Sequence, residues 1–315
     1  MKKLKILPFA ISVVIIAAII FFSNPYQIYL SITKVNKLFI AVALGFSVLN
    51  VLLRVLKWKV FIEGVRFFEL FPVQIFGMTL SNFTPGKIAE PAKSVVLRAV
   101  SGIPVSVSLP TVIWERINDI IAVIIFSFVA IQALSIKSNL FVIAVLSMAA
   151  FIVLISLLVV MMRSRRFGNR IFGILKRLPG TKSISEKFIE NFYSIEIKKR
   201  KIAASFAVTL VAWMVEGIIF YLVLLSMGIS SDFVLLAGIV CLSALIGIAS
   251  SLPGGIGSSE IVMIFLIGLT GVAGSVAVSA VFIYRIMTFW FGAFIGGLSF
   301  IYLSRKVDMK NLKFE

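Results

Sequence analysis

Long apolar runs follow one another along this chain, separated by short basic stretches. The run LFVIAVLSMAAFIVLISLLVVMM (140–162) exceeds the roughly 18 apolar residues that mark a membrane-spanning helix. With 6–22, 38–53 and its flanks, 112–134, 202–228 and 276–303, it makes six predicted spans. Two other regions, 68–110 and 233–272, read differently. Each is a pair of shorter apolar stretches around a Pro/Gly break. The first break, SNFTPGKIAEPAKSV (81–95), places two prolines, a glycine, a glutamate and two lysines where a membrane helix ought to continue.

Composition agrees with the pattern. The chain has 315 residues, 60% of them hydrophobic, a mean hydropathy of +1.11 and only 14% charged residues. It cannot cover a water-facing surface. An all-α polytopic membrane protein is predicted, with residues 1–315 forming a single transmembrane domain. No small-x-small cleavage site follows the first apolar run, where FFSNPYQ stands instead, so that run reads as a retained helix. One cysteine, Cys241, and no histidine exclude intrachain disulfides, Cys/His zinc sites and any triad with a histidine base. No metal, cofactor or catalytic residue is expected.

The net charge of +18 acquires meaning from its location. Residues 163–201 carry twelve Lys/Arg against Glu186, Glu190 and Glu196. Positive loops stay in the cytoplasm, so this segment fixes the orientation and faces anionic headgroups. RRFGNRIFGILKRL (165–178) suits a short interfacial helix. Without aromatic stacking platforms in the loop, nucleic acid is not the expected partner. Membrane lipids with an anionic or phosphate-bearing headgroup are, and a homo-oligomer is compatible with the composition. Localisation in the plasma membrane, with the N-terminus inside, follows.

Counting crossings from a cytoplasmic N-terminus brings the chain back inside at Arg54, Lys57, Lys59 and Arg66. Regions 68–110 and 233–272 must then each go in and come back, from opposite sides, as re-entrant or fully spanning hairpins. TPGKIAE in the first corresponds to LPGGIGSSE (252–260) in the second. Segments Gly102–Arg116 and Gly271–Arg285 align without a gap at an offset of 169. Pro85 precedes Arg116 by 31 residues and Pro253 precedes Arg285 by 32; Glu90 and Glu260 precede the same arginines by 26 and 25. An ordered Pro-Gly, Glu and Arg set in halves that face opposite ways is the pattern of an inverted repeat. The halves run roughly over 54–134 and 202–303, with the basic loop 163–201 between them.

Irregular backbone at membrane depth survives only when buried in protein or lining a wet cavity, and ionisable side chains there mark a pathway or a pair. The candidates are Lys87, Glu90, Lys93, Glu115, Arg116 and Asp119 in the first half, with Glu216, Glu260 and Arg285 in the second. Blander readings stand beside this one. The Pro-Gly breaks fit simple turns, Glu115, Arg116 and Asp119 fit a structural ion-pair cluster, and Lys93 and Arg98 fit side chains that snorkel to an interface. Arg285 has no acid nearby in sequence, which leaves Glu216 or Glu260 as partner. Gly292-x-x-x-Gly296 reads as a helix-packing surface. Arg116 and Arg285 are expected to line or brace one central cavity.

At TPGKIAEPAK, WERINDI, SLPGGIGSSE and YRIMTFW the chain resembles the lysylphosphatidylglycerol synthase transmembrane-region family of flippase-like membrane proteins. Its T-P-G-x-x-G-E is matched by Thr84, Pro85, Gly86 and Glu90, with Ala89 in place of the second glycine. Glu115, Arg116 and Asp119 match its E-R-x-x-D. Pro253, Gly254, Gly255, Gly257 and Glu260 match P-G-G-x-G-x-x-E, and Arg285 the later arginine. The resemblance implies a domain that moves lipids between leaflets. It also implies no lipid aminoacylation, because the transferase domain of bifunctional members has no room before Glu315. The alternatives are an intramembrane enzyme using Glu90, Glu115, Asp119 or Glu260 on a lipid-linked substrate, and a scaffold for a partner enzyme. No G-x-x-x-x-G-K-[ST] motif is present, so the chain is not itself an ATP-driven pump.

Overall fold

A computed structural model describes residues 12, 14–19, 21, 25–134, 139–175 and 185–309; helices build it, with no strand among the described residues. The first predicted span, 6–22, lies largely outside them. In chain order the helices are α1 (Pro25–Thr33), α2 (Lys37–Lys59), α3 (Phe67–Asn82), α4 (Ala92–Ser101) and α5 (Val105–Ala133). Then come α6 (Asn139–Arg163), α7 (Arg165–Leu175), α8 (Glu186–Ser194), α9 (Lys199–Ser226) and α10 (Phe233–Ala249). The last are α11 (Ser258–Gly268), α12 (Gly274–Arg285) and α13 (Phe291–Ser304). Five helices are long and apolar enough to cross a membrane: α2, α5, α6, α9, and α12–α13, which a π-helical turn at Ile286–Trp290 joins.

The helices between them are too short to cross. α3 has 16 residues and α4 has 10, about 24 and 15 Å at 1.5 Å per residue, against a hydrocarbon core of about 30 Å. α10 and α11, with 17 and 11 residues, repeat the same proportions. Both pairs are hairpins broken at a Pro-Gly turn, and the three long apolar helices α5, α6 and α9 separate them along the chain. Residues 105–110 leave the first hairpin and begin the α5 span, with Pro110 tolerated in its second turn.

The breaks share one backbone geometry. Pro85 and Pro253 each open a single 3₁₀ turn, and Gly86 (φ +60°) and Gly254 (φ +62°) then take left-handed conformations. The next residues, Lys87 (φ +58°) and Gly255 (φ +64°), do the same. Two successive left-handed residues stop a helix and turn the chain. The breaks also meet, since Gly254 packs on the Phe289 ring and near the Asn82 carbonyl.

Between helices in lipid there is no hydrophobic drive, so close packing and polar contacts hold them. α9 and α10 form the centre. A Cβ on Gly217 would come within 2.5 Å of the Ala237 Cβ, and one on Gly238 within 2.7 Å of the Phe126 carbonyl, so α9, α10 and α5 approach backbone to backbone. Hydroxyls in these helices bond back one turn, as Thr209 does to the Ser205 carbonyl and Ser243 to Ile239. α6 is the reverse case. Only 6% of its apolar stretch is buried, which leaves it facing lipid almost all round. α7 is a short helix within the basic segment, and it packs against the end of α6. Phe172 packs with Phe188, Phe192 and Met161, while Arg165, Arg166 and Arg170 stay exposed.

α13 packs on α3 through Gly296, where a Cβ would lie 1.9 Å from Thr79 Oγ1, and Thr79 donates to the Gly292 carbonyl at 3.3 Å. Gly292 itself has nothing within 4 Å of a built Cβ. Gly296→Ala should therefore destabilise by about 1–3 kcal/mol through overpacking, whereas Gly292→Ala should leave the thermal midpoint in detergent unchanged. Equal midpoints for the two variants would show that α13 does not depend on this contact.

Candidate functional site: a charged cavity between the hairpins

The inverted repeat carries through to side chains. Arg116 pairs with Glu90, and Arg285 Nε lies 2.6 Å from Glu260 Oε1, so each half joins its break to its following span by the same Glu–Arg pair. Both glutamates are buried. Glu260 Oε2 also accepts from the Gly257 amide at 2.6 Å and from Ser259 Oγ at 3.1 Å, closing the first turn of α11. Gly257, at φ +92° and against Ile15 of the first predicted span, has no room for a Cβ. Arg285 donates in addition to the Gly254 carbonyl at 3.2 Å and lies 4.5 Å from the Phe289 ring. In the first break Thr84 Oγ1 bonds the Ser81 carbonyl and receives the Ala89 amide. Positive φ falls on Gly86 and Lys87, not on Ala89, which is why alanine is tolerated at the resembled family's glycine.

A second cluster joins α2, α3, α4 and α5. Lys57 Nζ lies 2.6 Å from Asp119 Oδ2 and 3.2 Å from Glu115 Oε1. Lys93 Nζ bonds Glu115 Oε2, Gln74 Oε1 at 2.9 Å and Glu90 Oε1 at 3.3 Å, and sits 4.5 Å from the Trp58 ring. Gln74 returns a bond to Glu115 at 2.8 Å. Gly77 makes this possible, because a Cβ there would strike the Lys93 stem. Lys93 is thus fully buried and does not snorkel. Arg54 and Lys57 correct the sequence reading as well. They read as basic markers of the inner end of a span, yet Lys57 is 2% exposed and both hold acids inside the protein.

Glu216, in mid-α9, anchors a third cluster. Its Oε1 accepts from Arg54 and Asn50 at 2.7 Å each, and its Oε2 from the Tyr284 hydroxyl at 2.5 Å. Asn50, Arg54 and Lys57 lie at helical spacing on one face of α2. That spacing was the signal available in sequence for them. Tyr284 and Gln74 had none.

These clusters border two neighbouring, partly open pockets, together called the cavity. The larger, about 160 Å³, is lined by Asn50, Thr79, Asn82, Glu216 and Arg285; the smaller, about 40 Å³, by Lys57, Glu90, Arg116 and Asp119. Arg54 and Lys87 line both. Arg116 lines the smaller pocket and Arg285 the larger, one from each half, with side-chain exposures of 24% and 14%. Among the described residues, no three Asp, Glu, His or Cys side chains are placed to hold a metal ion. The cavity acids bind the protein's own cations instead.

A profile of the lysylphosphatidylglycerol synthase TM region matches residues 9–296. The chain belongs to that family. It is 28% identical over 312 residues to a UPF0104 membrane protein of Methanothermobacter thermautotrophicus, a match covering 92% of this chain and 91% of that one. It is also 28% identical over 287 residues to a UPF0104 membrane protein of Pyrococcus horikoshii, covering 82% and 85%. A phosphatidylglycerol lysyltransferase of Bacillus subtilis is 33% identical over 104 residues, 32% of this chain but 12% of that protein. In this family member the matched motifs are the residues that make the two breaks and their Glu–Arg ties.

Removing one member of a buried ion pair strands the other, at about 3–5 kcal/mol. Glu115→Gln, which strips the shared acid from Lys57 and Lys93, should lower the thermal midpoint in detergent by several degrees. Glu63→Gln, which removes only the exposed contact to Lys201, should not move it. A Glu115→Gln midpoint equal to wild type would mean that the cluster braces nothing.

Proposed function

We propose that this protein carries a phosphate-bearing lipid between the two leaflets through the cavity described above, as a flippase or scramblase. One observation carries the reading. Two pockets adjoin where the Pro-Gly breaks of the two hairpins meet, both lined by Arg54 and Lys87, and an arginine from one half lines each. In inverted-repeat transporters this is where substrate sits, because broken helices there supply polar groups at mid-membrane. Arginine suits a phosphate, since its planar fork grips two oxygens at once and stays charged when desolvated. The lipid-handling activity in the name of the Bacillus relative supports the substrate class.

The arrangement favours transport over chemistry. Glu90, Glu115, Asp119, Glu216 and Glu260 each hold a cation of the protein, which suits the wall of a passage better than the acid and base of a reaction. Without a nucleotide-binding motif, movement would follow the lipid gradient or the membrane potential. The basic loop 163–201 and the N-terminus face the cytoplasm in this reading.

Liposomes reconstituted with the protein and a fluorescent phosphatidylglycerol should lose fluorescence beyond the outer-leaflet share when a membrane-impermeant quencher is added outside. Arg116→Lys and Arg285→Lys should each slow that loss without lowering thermal stability. Quenching confined to the outer leaflet in wild-type vesicles would sink the proposal, and full rates in the double lysine variant would remove the need for a guanidinium. Maleimide labelling supplies the test of orientation. On a Cys241→Ala background, a cysteine at position 231, between α9 and α10, should react from outside in intact cells.

A further inference from the structure

We infer that Lys87 is the headgroup anchor of the cavity, and that the ligand it takes is a phosphodiester lipid carrying one negative charge. The inference rests on the transport reading only in supposing that lipid enters the cavity. Six cations border the cavity or buttress its wall: Arg54, Lys57, Lys87, Lys93, Arg116 and Arg285. Five of them hold an acid, namely Glu216, Asp119, Glu115, Glu90 and Glu260. Lys87 makes no ion pair among the described residues, yet it lines both pockets. Six cations against five carboxylates leave the site one negative charge short. An ammonium that lines both pockets without a carboxylate of its own is the place for an anion from outside the chain.

The backbone at Lys87 points the same way. It takes φ +58°, where the matching position of the second break holds Gly255 at φ +64°. A glycine would satisfy the turn without strain, so the side chain is what the position retains. The helix ends that might otherwise receive an anion are occupied. Glu260 caps the start of α11 and Glu90 stands just before α4. Lys87 is left as the group with donors to spare, and three of them suit phosphate oxygens.

The test compares full-length wild type, Lys87→Gly and Lys87→Arg, purified in detergent and incubated with phosphatidylglycerol, phosphatidic acid, diacylglycerol or inorganic phosphate. Native mass spectrometry reads the bound ligand. Wild type and Lys87→Arg should retain phosphatidylglycerol at least about ten-fold better than Lys87→Gly, a difference that corresponds to one lost charge-assisted contact. The ligand-free thermal midpoint of Lys87→Gly should equal or exceed that of wild type, since its turn is relaxed. Equal retention by Lys87→Gly overturns the anchor. Tighter binding of phosphatidic acid than of phosphatidylglycerol overturns the single-charge assignment, and equal competition by inorganic phosphate overturns the lipid source. Translocation in wild type with unchanged binding in Lys87→Gly would sink this inference and leave the transport reading intact. Lost binding in Lys87→Gly without any wild-type translocation would do the reverse.

Discussion

Everything in this fold is arranged around the cost of keeping charge away from water. A carboxylate or ammonium at membrane depth must meet an opposite charge or leave the membrane. Glu115 is fully buried and serves two lysines from two helices, Lys57 on α2 and Lys93 on α4. That single acid holds the first hairpin against α2 and α5. Glu216 ties α2 to α12 in the same way, through Arg54 and Tyr284. Since apolar faces gain nothing by leaving lipid for protein, such ties and the glycine contacts fix where the hairpins sit. The cavity is what remains between them.

The same constraint explains why the halves match where they do. A hairpin of apolar helices with its backbone broken leaves polar groups inside the protein, and such a break needs a fixed partner. Each break has a glutamate at the start of its second helix, and each following span has an arginine to meet it, Glu90 with Arg116 and Glu260 with Arg285. The turn, the acid and the cation form one unit, so they appear together in both halves while the apolar sequence between them drifts.

Much of this was legible in the sequence. Breaks declare themselves by Pro and Gly inside apolar runs, and the acids of α5 and α9 by being charged at all. The near-equal offsets of Glu90 and Glu260 from their arginines, 26 and 25 residues, left Glu260 beside Glu216 as the candidate partner of Arg285, and the structure selects Glu260. The partners on α2 were harder to see. Arg54 and Lys57 lie within a turn or two of a predicted inner boundary, where basic residues ordinarily mean only orientation. Their inward roles depend on how α2 is rotated, which apolar content all round the helix does not encode. The short lengths of the hairpin helices were hidden too, because hydropathy registers how apolar a stretch is and a Pro-Gly turn inside it leaves that sum nearly unchanged.

Where the halves differ, the difference bears on what the cavity is for. A strictly symmetric site would present the same groups to both leaflets. Here the second half carries a π-helical turn directly after Arg285, which swings Phe289 over the guanidinium and against Gly254. α5 runs through the equivalent Arg116 as an unbroken α-helix. Extra residues in a turn are retained when they re-aim a side chain at a functional position. The result is one arginine covered by an aromatic ring and one beside a lysine held in a left-handed turn. Two matching breaks thus border pockets that differ in charge and in cover. That asymmetry lies in Lys87 and Phe289, outside the residues that the two halves share, so the paired Glu–Arg ties hold the matching frame while these two side chains make the two pockets chemically unlike.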